Sequence, residues 1–465
     1  MKFSFTCKKY VHRFYAQFSG KRITYSVICF LLFTFISSCK GILDLEPAQS
    51  ISNETVLTTE DGVNQALIGA YDYFSVTDLF GGEVMRNAEL YAGIGEVTWV
   101  GTFVQPREIW QRDILVGNDD VLGFYTDAYI TINIINNVLN SLDIIESESS
   151  RERVEGEAKC LRGWLYFELT RYFGQQYEAS NAAINLGVPL VLLPTINEGD
   201  NAEVFRNTVE ECYNQIITDL TEAENLLPEK NDVFVNKNVA AAVLARVYLQ
   251  KEDYGNARDA ADRVIASGDY TLLTVFEDCF NNDENTPEDI FALQISEQDG
   301  SNAMNTYFAT ATNGGRGDIE IDDAHFDLYP DGDVRKDIFY NSGGARYTGK
   351  FNDQYANISI IRLAEMYLIR AECNERSGTV TGAAPLDDYN TVHTRAGLAA
   401  AADVTLDDIL FERRLELAHE GFKVFDIKRL HGIVGTMNYN DPKLIYPIPV
   451  KEIDVNPNLI QNPGY

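Results

Sequence analysis

The sequence lacks the short motifs that would assign it a reaction. Its 465 residues contain no nucleophile elbow, no phosphate-binding loop and no paired-histidine metal motif. Gly314-Gly315-Arg316-Gly317 is rich in glycine, but it lacks the Lys-Ser/Thr that a phosphate loop requires. Arg316-Gly317-Asp318 spells an adhesion tripeptide, which a chance turn explains far more often. We therefore expect no catalytic residue, no metal site and no cofactor.

Positive charge is scarce. The chain has 38 lysine and arginine residues against 70 acidic residues, which gives a net charge of -32. Repulsion from phosphate disfavours nucleic acid as a partner, and it equally disfavours binding to anionic lipid through a basic face. A neutral or cationic ligand, or a neutral protein partner, fits this charge better. The charged fraction of 23% and the aromatic fraction of 11% indicate a folded protein.

Long hydrophobic runs are also missing. Residues 1–38 carry basic residues and no acidic residue, and the apolar run at 27–36 is short for a membrane span. Ser37-Ser38-Cys39 follows this run and resembles a bacterial lipobox, in which the cysteine is acylated. We predict a lipoprotein signal peptide at 1–38, lipidation at Cys39 and a lipid tether at 39–57. A plain signal peptide or an N-terminal anchor helix is the alternative.

Cysteine is rare, and its spacing matches no zinc pattern. Four of the seven cysteines follow Cys39, namely Cys160, Cys212, Cys279 and Cys373. Three of these lie in predicted helices, where cysteine usually serves as a small buried hydrophobic residue.

The clearest regular pattern, at 239–268, predicts two antiparallel helices joined at residues 252–254. In both helices the apolar residues recur at i, i+3, i+4 and i+7, which places them on one face. The residues that follow the spacing of a tetratricopeptide (TPR) repeat are Ala245, Tyr248, Tyr254, Ala257, Ala261 and Val264. One pair cannot bury its apolar face alone, so we expect other helix pairs to stack on it. An ordinary helical hairpin is the alternative.

Helical periodicity recurs on both sides of this pair, so a mainly α fold is expected. Further helices are predicted from the capping box at 58–61 to Phe74 and at about 120–147, 151–174, 207–227, 358–377, 386–396 and 405–420. We expect a single domain at 58–465 with loop insertions at about 75–118 and 270–357, the second with short strands such as 289–295. Long ordered insertions on a helical scaffold are usually where binding happens.

Several short segments match, in order, those of one family. They are 43–47 (LDLEP), 66–71 (ALIGAY), 162–169 (RGWLYFEL), 187–190 (GVPL), the TPR pair, 361–372 (IRLAEMYLIRAE), 395–398 (RAGL), 412–417 (ERRLEL), 421–422 (GF) and 447–449 (PIP). Each segment alone is weak, but their order and joint presence are specific and span nearly all of the mature chain. The chain resembles the SusD/RagB outer-membrane nutrient-binding lipoproteins of Bacteroidetes.

The resemblance implies a TPR-like helix-pair scaffold with a loop-rich ligand-binding half and a few short strands. It implies a lipid-anchored protein at the cell surface that sits as a lid on a SusC-like TonB-dependent transporter. It captures an oligosaccharide or, in RagB-like members, a peptide. Surface-exposed relatives often have acids close behind the lipid cysteine, whereas here Lys40 is followed by acids only at Asp44 and Glu46. Starch-binding relatives carry a tryptophan in the late loop region; this chain has none after Trp164, which disfavours starch.

The aromatic residues of the insertions are the candidate ligand contacts. A sugar ring presents a flat C–H face to an aromatic ring, while Asp, Asn and Arg side chains bind its hydroxyl groups. The candidates are Trp99, Trp110 and Tyr91, expected in loops, with Asp78, Arg86 and Asn87 nearby, and Tyr307, Tyr340 and Tyr347 from the second insertion. In the alternative interpretation these rings form small cores beneath the loops; Trp99 is the favoured contact.

Two other functions remain open. A surface glycoside hydrolase would need two carboxyls about 5–9 Å apart across a substrate, and sequence adjacency does not supply that geometry. Turn and cap roles are expected for the acid pairs Asp119-Asp120, Asp322-Asp323 and Asp387-Asp388. The acid–base clusters at 362–372 and 413–416 predict ion pairs between helices.

A scaffold that binds only protein is the second alternative function, and the aromatic insertions disfavour it.

Overall fold

α-Helices form most of the structure, a computed structural model that describes residues 57–196, 203–298 and 300–465. The helices are α1 (Glu60–Phe74), α2 (Glu83–Tyr91), α3 (Val104–Gln111), α4 (Asp119–Asn140), α5 (Glu148–Phe173), α6 (Val209–Leu226), α7 (Lys237–Gln250), α8 (Tyr254–Ser267), α9 (Ala303–Phe308), α10 (Asp323–Phe326), α11 (Leu363–Ser377), α12 (Pro385–Arg395), α13 (Leu406–Glu416), α14 (Lys423–Arg429) and α15 (Val450–Val455). The predicted signal peptide, Cys39 and, apart from Leu57, the predicted tether lie outside the described residues. Of the helices described, none has the length and apolar character to cross a membrane.

The predicted helix pair at 239–268 is confirmed as α7 and α8. Asn236 caps α7 by accepting a hydrogen bond from the Val239 amide, and Asp253 caps α8 in the same way. Gly268 ends α8 in the left-handed conformation, with φ of 71°. The predicted inner face of α8 is fully buried; it consists of Ala257, Ala260, Ala261 and Val264. Its alanines allow the backbone of α8 to lie close to α7.

Neighbouring helices stack on this pair in both directions. On one side the order of packing is α7 on α6, α6 on α5, α5 on α4 and α4 on α1; on the other side α8 packs on α11, and α11 contacts α12 and α13. Two glycines of α5 permit the closest approach. A Cβ atom at Gly163 would lie 2.9 Å from the Leu220 side chain of α6, and one at Gly156 would lie 2.8 Å from Leu227. The stack therefore buries a continuous core, as the repeat interpretation requires.

The strands are short and pair in twos. They are β1 (Val97–Trp99), β2 (Asp289–Leu293), β3 (Ile319–Ile321), β4 (Phe339–Ser342), β5 (Ala345–Thr348), β6 (Ile358–Arg362), β7 (Ile433–Val434) and β8 (Met437–Asn438). The antiparallel pairs are β1–β3, β2–β6, β4–β5 and β7–β8. The prediction of a helix beginning at residue 358 is wrong for its first five residues, because the β-branched run of β6 pairs with β2. The predicted strand at 289–295 is confirmed as β2.

The first insertion contains more helix than the sequence predicted. Residues 75–118 were expected to form loops, yet α2 and α3 lie within them. Every residue of α2 is buried. Its polar residues Glu83, Arg86, Asn87 and Glu89 are buried together with its apolar ones, so its burial does not follow the amphipathic pattern of its sequence.

The acid–base clusters form buried ion pairs, as predicted. Arg362 contacts Glu288 at 2.7 Å, Glu416 at 2.9 Å and Glu420 at 2.7 Å, and all four side chains are buried. Glu288 lies in the second insertion, and Glu416 and Glu420 lie at and just beyond the C-terminal end of α13, so these bonds fix the start of α11 and the end of α13 against the second insertion. Breaking such a network by removing one partner is strongly destabilising, because an uncompensated charge stays buried.

Candidate functional site

The two insertions meet in the antiparallel pair β1–β3. Val97 lies opposite Ile321 and Trp99 opposite Ile319. Beyond the last pair, the amide of Val100 donates to the carbonyl of Asp318 at 2.9 Å. This pairing places the aromatic residues of residues 75–118 beside those of residues 300–350.

Trp99 lies at the end of β1 and is 5% exposed, so the prediction that it stands in a loop is wrong. Its ring centroid lies 6.0 Å from that of Tyr307, the partly exposed tyrosine of α9. Gly101 is required beside it, because a Cβ atom there would lie 2.5 Å from the indole. The indole Nε1 is buried and has no hydrogen-bond partner among the described residues. Trp99 is therefore a mostly buried residue that packs against the partly exposed Tyr307 ring.

Arg86 and Asn87 lie on α2, and both are buried. The Arg86 guanidinium lies 4.2 Å from the Tyr307 ring centroid and donates to Asp120 at 2.5 Å and, through Nε, to Asn87 at 2.9 Å. Glu83 lies 3.2 Å from the same guanidinium. The structure thus brings together four of the predicted residues, Arg86, Asn87, Trp99 and Tyr307, with Tyr307 as the member nearest to solvent.

The carboxyl groups around Arg86 hold protons more strongly than free carboxyls do. Burial, together with the charges of Asp127 and Asp120, raises the pKa of Asp78 to about 6. Burial also raises the pKa of Glu83, and the nearby Asp120 and Asp78 act in the same direction against the Arg86 charge. Asp78 is partly exposed and packs against Gly123, where a Cβ atom would lie 2.2 Å from its carboxylate. Asp120, also partly exposed, is engaged with Arg86, so Asp78 is the acid of this group that we expect to be available to a ligand.

Tyr91 and Trp110 were predicted in loops, but they lie on α2 and α3. Tyr91 is 1% exposed, and its hydroxyl donates to the carbonyl of Lys443 at 2.7 Å, so it packs against the C-terminal segment. The Trp110 indole Nε1 donates to the carbonyl of Val97 at 2.9 Å. Trp110 thus braces β1, and neither ring joins the Trp99 group.

Tyr340 and Tyr347 face each other on the β4–β5 hairpin. Their ring centroids are 5.8 Å apart, and the Tyr340 hydroxyl accepts a hydrogen bond from the Thr310 amide at 3.1 Å. The Tyr347 ring packs on Gly317, where a Cβ atom would lie 3.3 Å away and φ is +67°. Glycine is favoured there by both the contact and the left-handed backbone.

Phe103 and Arg316 form the most exposed part of this surface, and neither was chosen as a site residue from the sequence. Phe103 is 43% exposed, and the Arg316 guanidinium lies 4.4 Å from its ring centroid. Arg316 also pairs with Asp318 at 2.7 Å and donates to the Thr102 hydroxyl at 3.3 Å. Thr102 and Arg316 are 214 positions apart, so no local spacing reveals the pair. The glycine-rich segment around Arg316 was the one feature of the sequence that could have pointed to this pair.

We call this surface the aromatic patch. Its members are Trp99, Phe103, Tyr307, Tyr340, Tyr347, Arg316 and Asp318. Flat rings beside an arginine and a carboxylate suit the C–H faces and hydroxyl groups of a polar, ring-shaped ligand. The described residues contain no group of three or more His, Cys, Asp or Glu side chains placed to hold a metal ion.

The adjacent acid pairs have structural roles, as expected. Asp120 pairs with Arg86 in the first turn of α4, and Asp388 pairs with Arg370 at 2.6 Å in the first turn of α12. Asp322 precedes α10 and accepts a hydrogen bond from Thr98 at 2.9 Å.

Two family models match separate parts of the chain. One, described as "Starch-binding associating with outer membrane", matches residues 42–249, and the other, described as "SusD family", matches residues 339–444. Among curated proteins, "SusD-like protein P2" of Formosa agariphila is 24% identical, over 96% of this chain and 99% of that protein.

Solved structures share the fold across the described domain. A putative sugar binding protein from Bacteroides vulgatus is 27% identical with a TM-score of 0.79, covering 88% of this chain and 99% of that one. A SusD superfamily protein from Bacteroides thetaiotaomicron is 26% identical with a TM-score of 0.78, covering 87% of this chain and 100% of that one. With matching segments at both ends of the domain and the same helix stack throughout, the chain belongs to the SusD/RagB family.

Proposed function

We propose that this protein is a cell-surface lipoprotein that binds neutral oligosaccharides and delivers them to a SusC-like TonB-dependent outer-membrane transporter. The observation that carries the binding part is the meeting of the two insertions at β1–β3, which sets the exposed Phe103 and Arg316 side by side. The family model at 42–249, described as starch-binding and outer-membrane associated, supports this proposal. So does the 27% identical structure described as a putative sugar binding protein.

The charge of the patch favours a neutral ligand. Asp318 belongs to the patch, and Arg316 is already paired with it. Asp78 lies near Arg86, whose guanidinium packs on the Tyr307 ring. The whole chain carries a net charge of -32. An acidic glycan would meet this field, and Arg316 already has a carboxylate partner, whereas the hydroxyl groups of a neutral sugar can accept from Arg316 and donate to the carboxylates.

We assign different roles to exposed and buried members. Phe103 and Tyr307 offer ring faces to the sugar, with Tyr340 as a further contact and Asp78 as a hydroxyl acceptor. The buried Arg86, Asn87 and Trp99 hold Tyr307 in place from below. Tyr91 and Trp110 support α2 and β1.

The binding proposal is tested with Phe103→Ala and isothermal titration against a panel of neutral oligosaccharides. Removal of one stacked ring should cost roughly 1–3 kcal/mol, which is about a tenfold to hundredfold loss of affinity. Phe205→Ala is the matched control, because Phe205 is 67% exposed and lies outside the patch. Both variants should keep the wild-type melting temperature. Unchanged affinity in Phe103→Ala would place the sugar elsewhere.

The same preparation distinguishes the alternatives. Binding of short peptides in preference to every sugar in the panel would identify a RagB-like peptide carrier. Release of reducing sugar by the purified protein, lost when a carboxylate such as Asp78 is changed to Asn, would identify a hydrolase.

The transporter and the lipid anchor are tested in membranes. Mild detergent extraction should recover a large TonB-dependent β-barrel together with this protein. Recovery of this protein alone in several detergents would contradict a stable lid. We propose Cys39 as the lipidated residue, after cleavage of residues 1–38.

A further inference from the structure

A cavity of about 550 Å³, separate from the aromatic patch, lies between the C-terminal end of α2 and the helices α13 and α14. We call it the α13–α14 cleft. Its lining includes Glu89, Val97, Arg413, His419, Phe422 and Lys423. A volume of this size is typical of small-molecule sites. The residues of the aromatic patch do not line the cleft, although Val97 belongs to the same strand as Trp99.

Two buried polar side chains that line the cleft have unused hydrogen-bonding atoms. Arg413 is 3% exposed; its Nε donates to Asp426 at 2.9 Å, but its Nη1 has no partner among the residues that the structure describes. His419 is 2% exposed, and within the same residues neither of its ring nitrogens has a partner. Its nearest acid, Glu89, lies 4.0 Å away. Unsatisfied buried groups of this kind are rare in native proteins and call for an explanation.

The backbone at His419 adds to this observation. His419 has φ of 67°, a left-handed conformation that costs a residue with a side chain about 1 kcal/mol or more. Burial lowers the pKa of His419 well below its ordinary value, so the ring is neutral and offers one donor and one acceptor. Strained residues persist where the surrounding structure holds them in place, and they cluster at functional sites.

The basic side chains that line the cleft share their carboxylate partners. Arg414 and Lys423 both contact a single carboxylate, Glu96, the latter at 2.8 Å. Asp426 is shared by Arg413 and Arg429 at 2.9 Å and 2.7 Å. Arg429 also pairs with Glu372 at 2.6 Å, and Arg413 lies 3.6 Å from Glu365.

Glu89, the remaining acid of the cleft, is already satisfied. It accepts the amides of Gly421 and Phe422 at 2.9 Å and 3.1 Å, and burial raises its pKa despite those bonds. Four basic side chains line the cleft, Arg413, Arg414, Lys423 and Arg429. The Arg413 Nη1, which has no partner among the described residues, is a charged donor that suits an anionic acceptor.

The mouth of the cleft is apolar. Ile94, Phe411, Leu430 and Ile433 line the cleft and are between 37% and 62% exposed. Single exposed apolar residues need no explanation, but four around one opening form a patch of the kind that marks binding sites. A ligand that fits both ends has a hydrophobic body at the mouth and an anionic acceptor at the Arg413 end.

We propose that the α13–α14 cleft binds a small organic carboxylate with an apolar body. The carboxylate accepts from Arg413 Nη1 and from the N–H of His419, and the apolar body contacts Phe411, Leu430 and Ile433 at the mouth. The planar fork of an arginine matches a carboxylate geometrically, which favours a carboxylate over a spherical anion. This site goes beyond the glycan function proposed above, and its test uses no sugar.

The first test compares 4-phenylbutyrate with 4-phenylbutyramide on the wild-type protein by isothermal titration. The amide has the same shape without the charge. Bonds to a charged group are among the stronger ones, so the acid should bind about tenfold or more tightly than the amide. Equal affinity for the two, or no binding of the acid at millimolar concentration, would overturn the proposal.

The second test uses Arg413→Lys with Arg246→Lys as its matched control. Both arginines are buried, both lie near Glu365 and both stack on the Phe422 ring, at 5.1 Å and 4.8 Å. Arg246 does not line the cleft. Arg413→Lys should lose about tenfold or more in affinity for 4-phenylbutyrate, and Arg246→Lys should bind as the wild type does.

A folded Arg413→Lys variant with unchanged affinity would refute the proposal that Arg413 binds the carboxylate of the ligand. If that variant fails to fold, Phe411→Ala at the exposed mouth takes its place, since a ring that is 41% exposed supports little core. It should weaken binding of the acid severalfold at an unchanged melting temperature. Unchanged affinity in Phe411→Ala would equally overturn the proposal.

Discussion

Lys428 is a buried lysine that has no carboxylate partner in the described part of the chain, and it should make the stability of the domain depend on pH. Its side chain is 2% exposed, and among the described residues its Nζ donates only to carbonyl groups, that of Leu444 at 3.2 Å and that of Arg171 at 3.4 Å. Burial, assisted by the charge of Arg171, lowers the pKa of Lys428 to about 7. The change proposed is Lys428→Met, which keeps the length and removes the titration.

The direction and size follow from proton linkage. The unfolded chain keeps the lysine proton up to about pH 10.4, whereas the folded chain releases it near pH 7. Stability rises with pH wherever the unfolded state binds more protons, and each pKa unit corresponds to about 1.4 kcal/mol. Between pH 7 and pH 9 the folded lysine becomes neutral while the unfolded one stays charged. The unfolding free energy of the wild type should therefore rise by about 2 kcal/mol relative to that of Lys428→Met.

Urea denaturation at half-unit steps from pH 7 to pH 9 measures this difference. Other titrating groups cancel, because each wild-type value is compared with the variant at the same pH. Lys230→Met, at an exposed lysine, controls for the loss of one positive charge from a strongly negative chain. A difference between wild type and Lys428→Met that stays constant across this range would refute the reasoning, since it would mean that the buried amine does not change its charge there.

Three further changes test the scaffold, the patch and the anchor. Ala257→Asp should destabilise by several kcal/mol because a charge enters the α7–α8 interface, whereas Ala266→Asp on the exposed side of α8 should cost about 1 kcal/mol or less in thermal unfolding. Trp99→Ala should cost about 3–5 kcal/mol in urea unfolding, since the ring is 95% buried; a cost below about 1 kcal/mol would mean that the ring supports little core. Cys39→Ala should leave the protein uncleaved or released from the membrane; mature protein still in the outer-membrane fraction would contradict lipidation at this residue.

The helix pairs were predictable because their signals are local. The apolar stripe of α8 and the Asn236 and Asp253 caps lie within single segments, where period and cap chemistry can be read directly. The α2 helix was missed for the opposite reason. It is only nine residues long, and its polar residues are buried along with its apolar ones, which no local pattern shows. The start of α11 was misplaced because β6 and the helix share one apolar run, and only the pairing with β2 separates them.

The candidate site was predictable in composition but not in geometry. Glycine and aromatic residues in the two insertions suggested the candidate contacts, and the structure places these two insertions side by side at β1–β3. Exposure could not be read from the sequence, because it depends on which insertion covers which ring. Trp99 becomes a supporting residue once β3 pairs with β1, and Phe103 becomes the exposed ring once α3 begins directly after it. Contacts such as Thr102 with Arg316 join residues too far apart for any pattern of spacing.

The separation of scaffold and patch has a consequence for how substitutions act. The patch is assembled on β1, α9, β3, β4 and β5, whereas Ala257 lies in the α7–α8 interface. A substitution in the helix stack lowers the free energy of unfolding of the whole domain, yet it leaves the surviving folded molecules with the same rings in the same places. Ala257→Asp should therefore reduce the fraction of protein that binds without changing the dissociation constant of that fraction, and Phe103→Ala should do the reverse. Observation of both effects from one substitution would show that the stack and the patch are energetically coupled, which the additivity expected of independent sites does not allow.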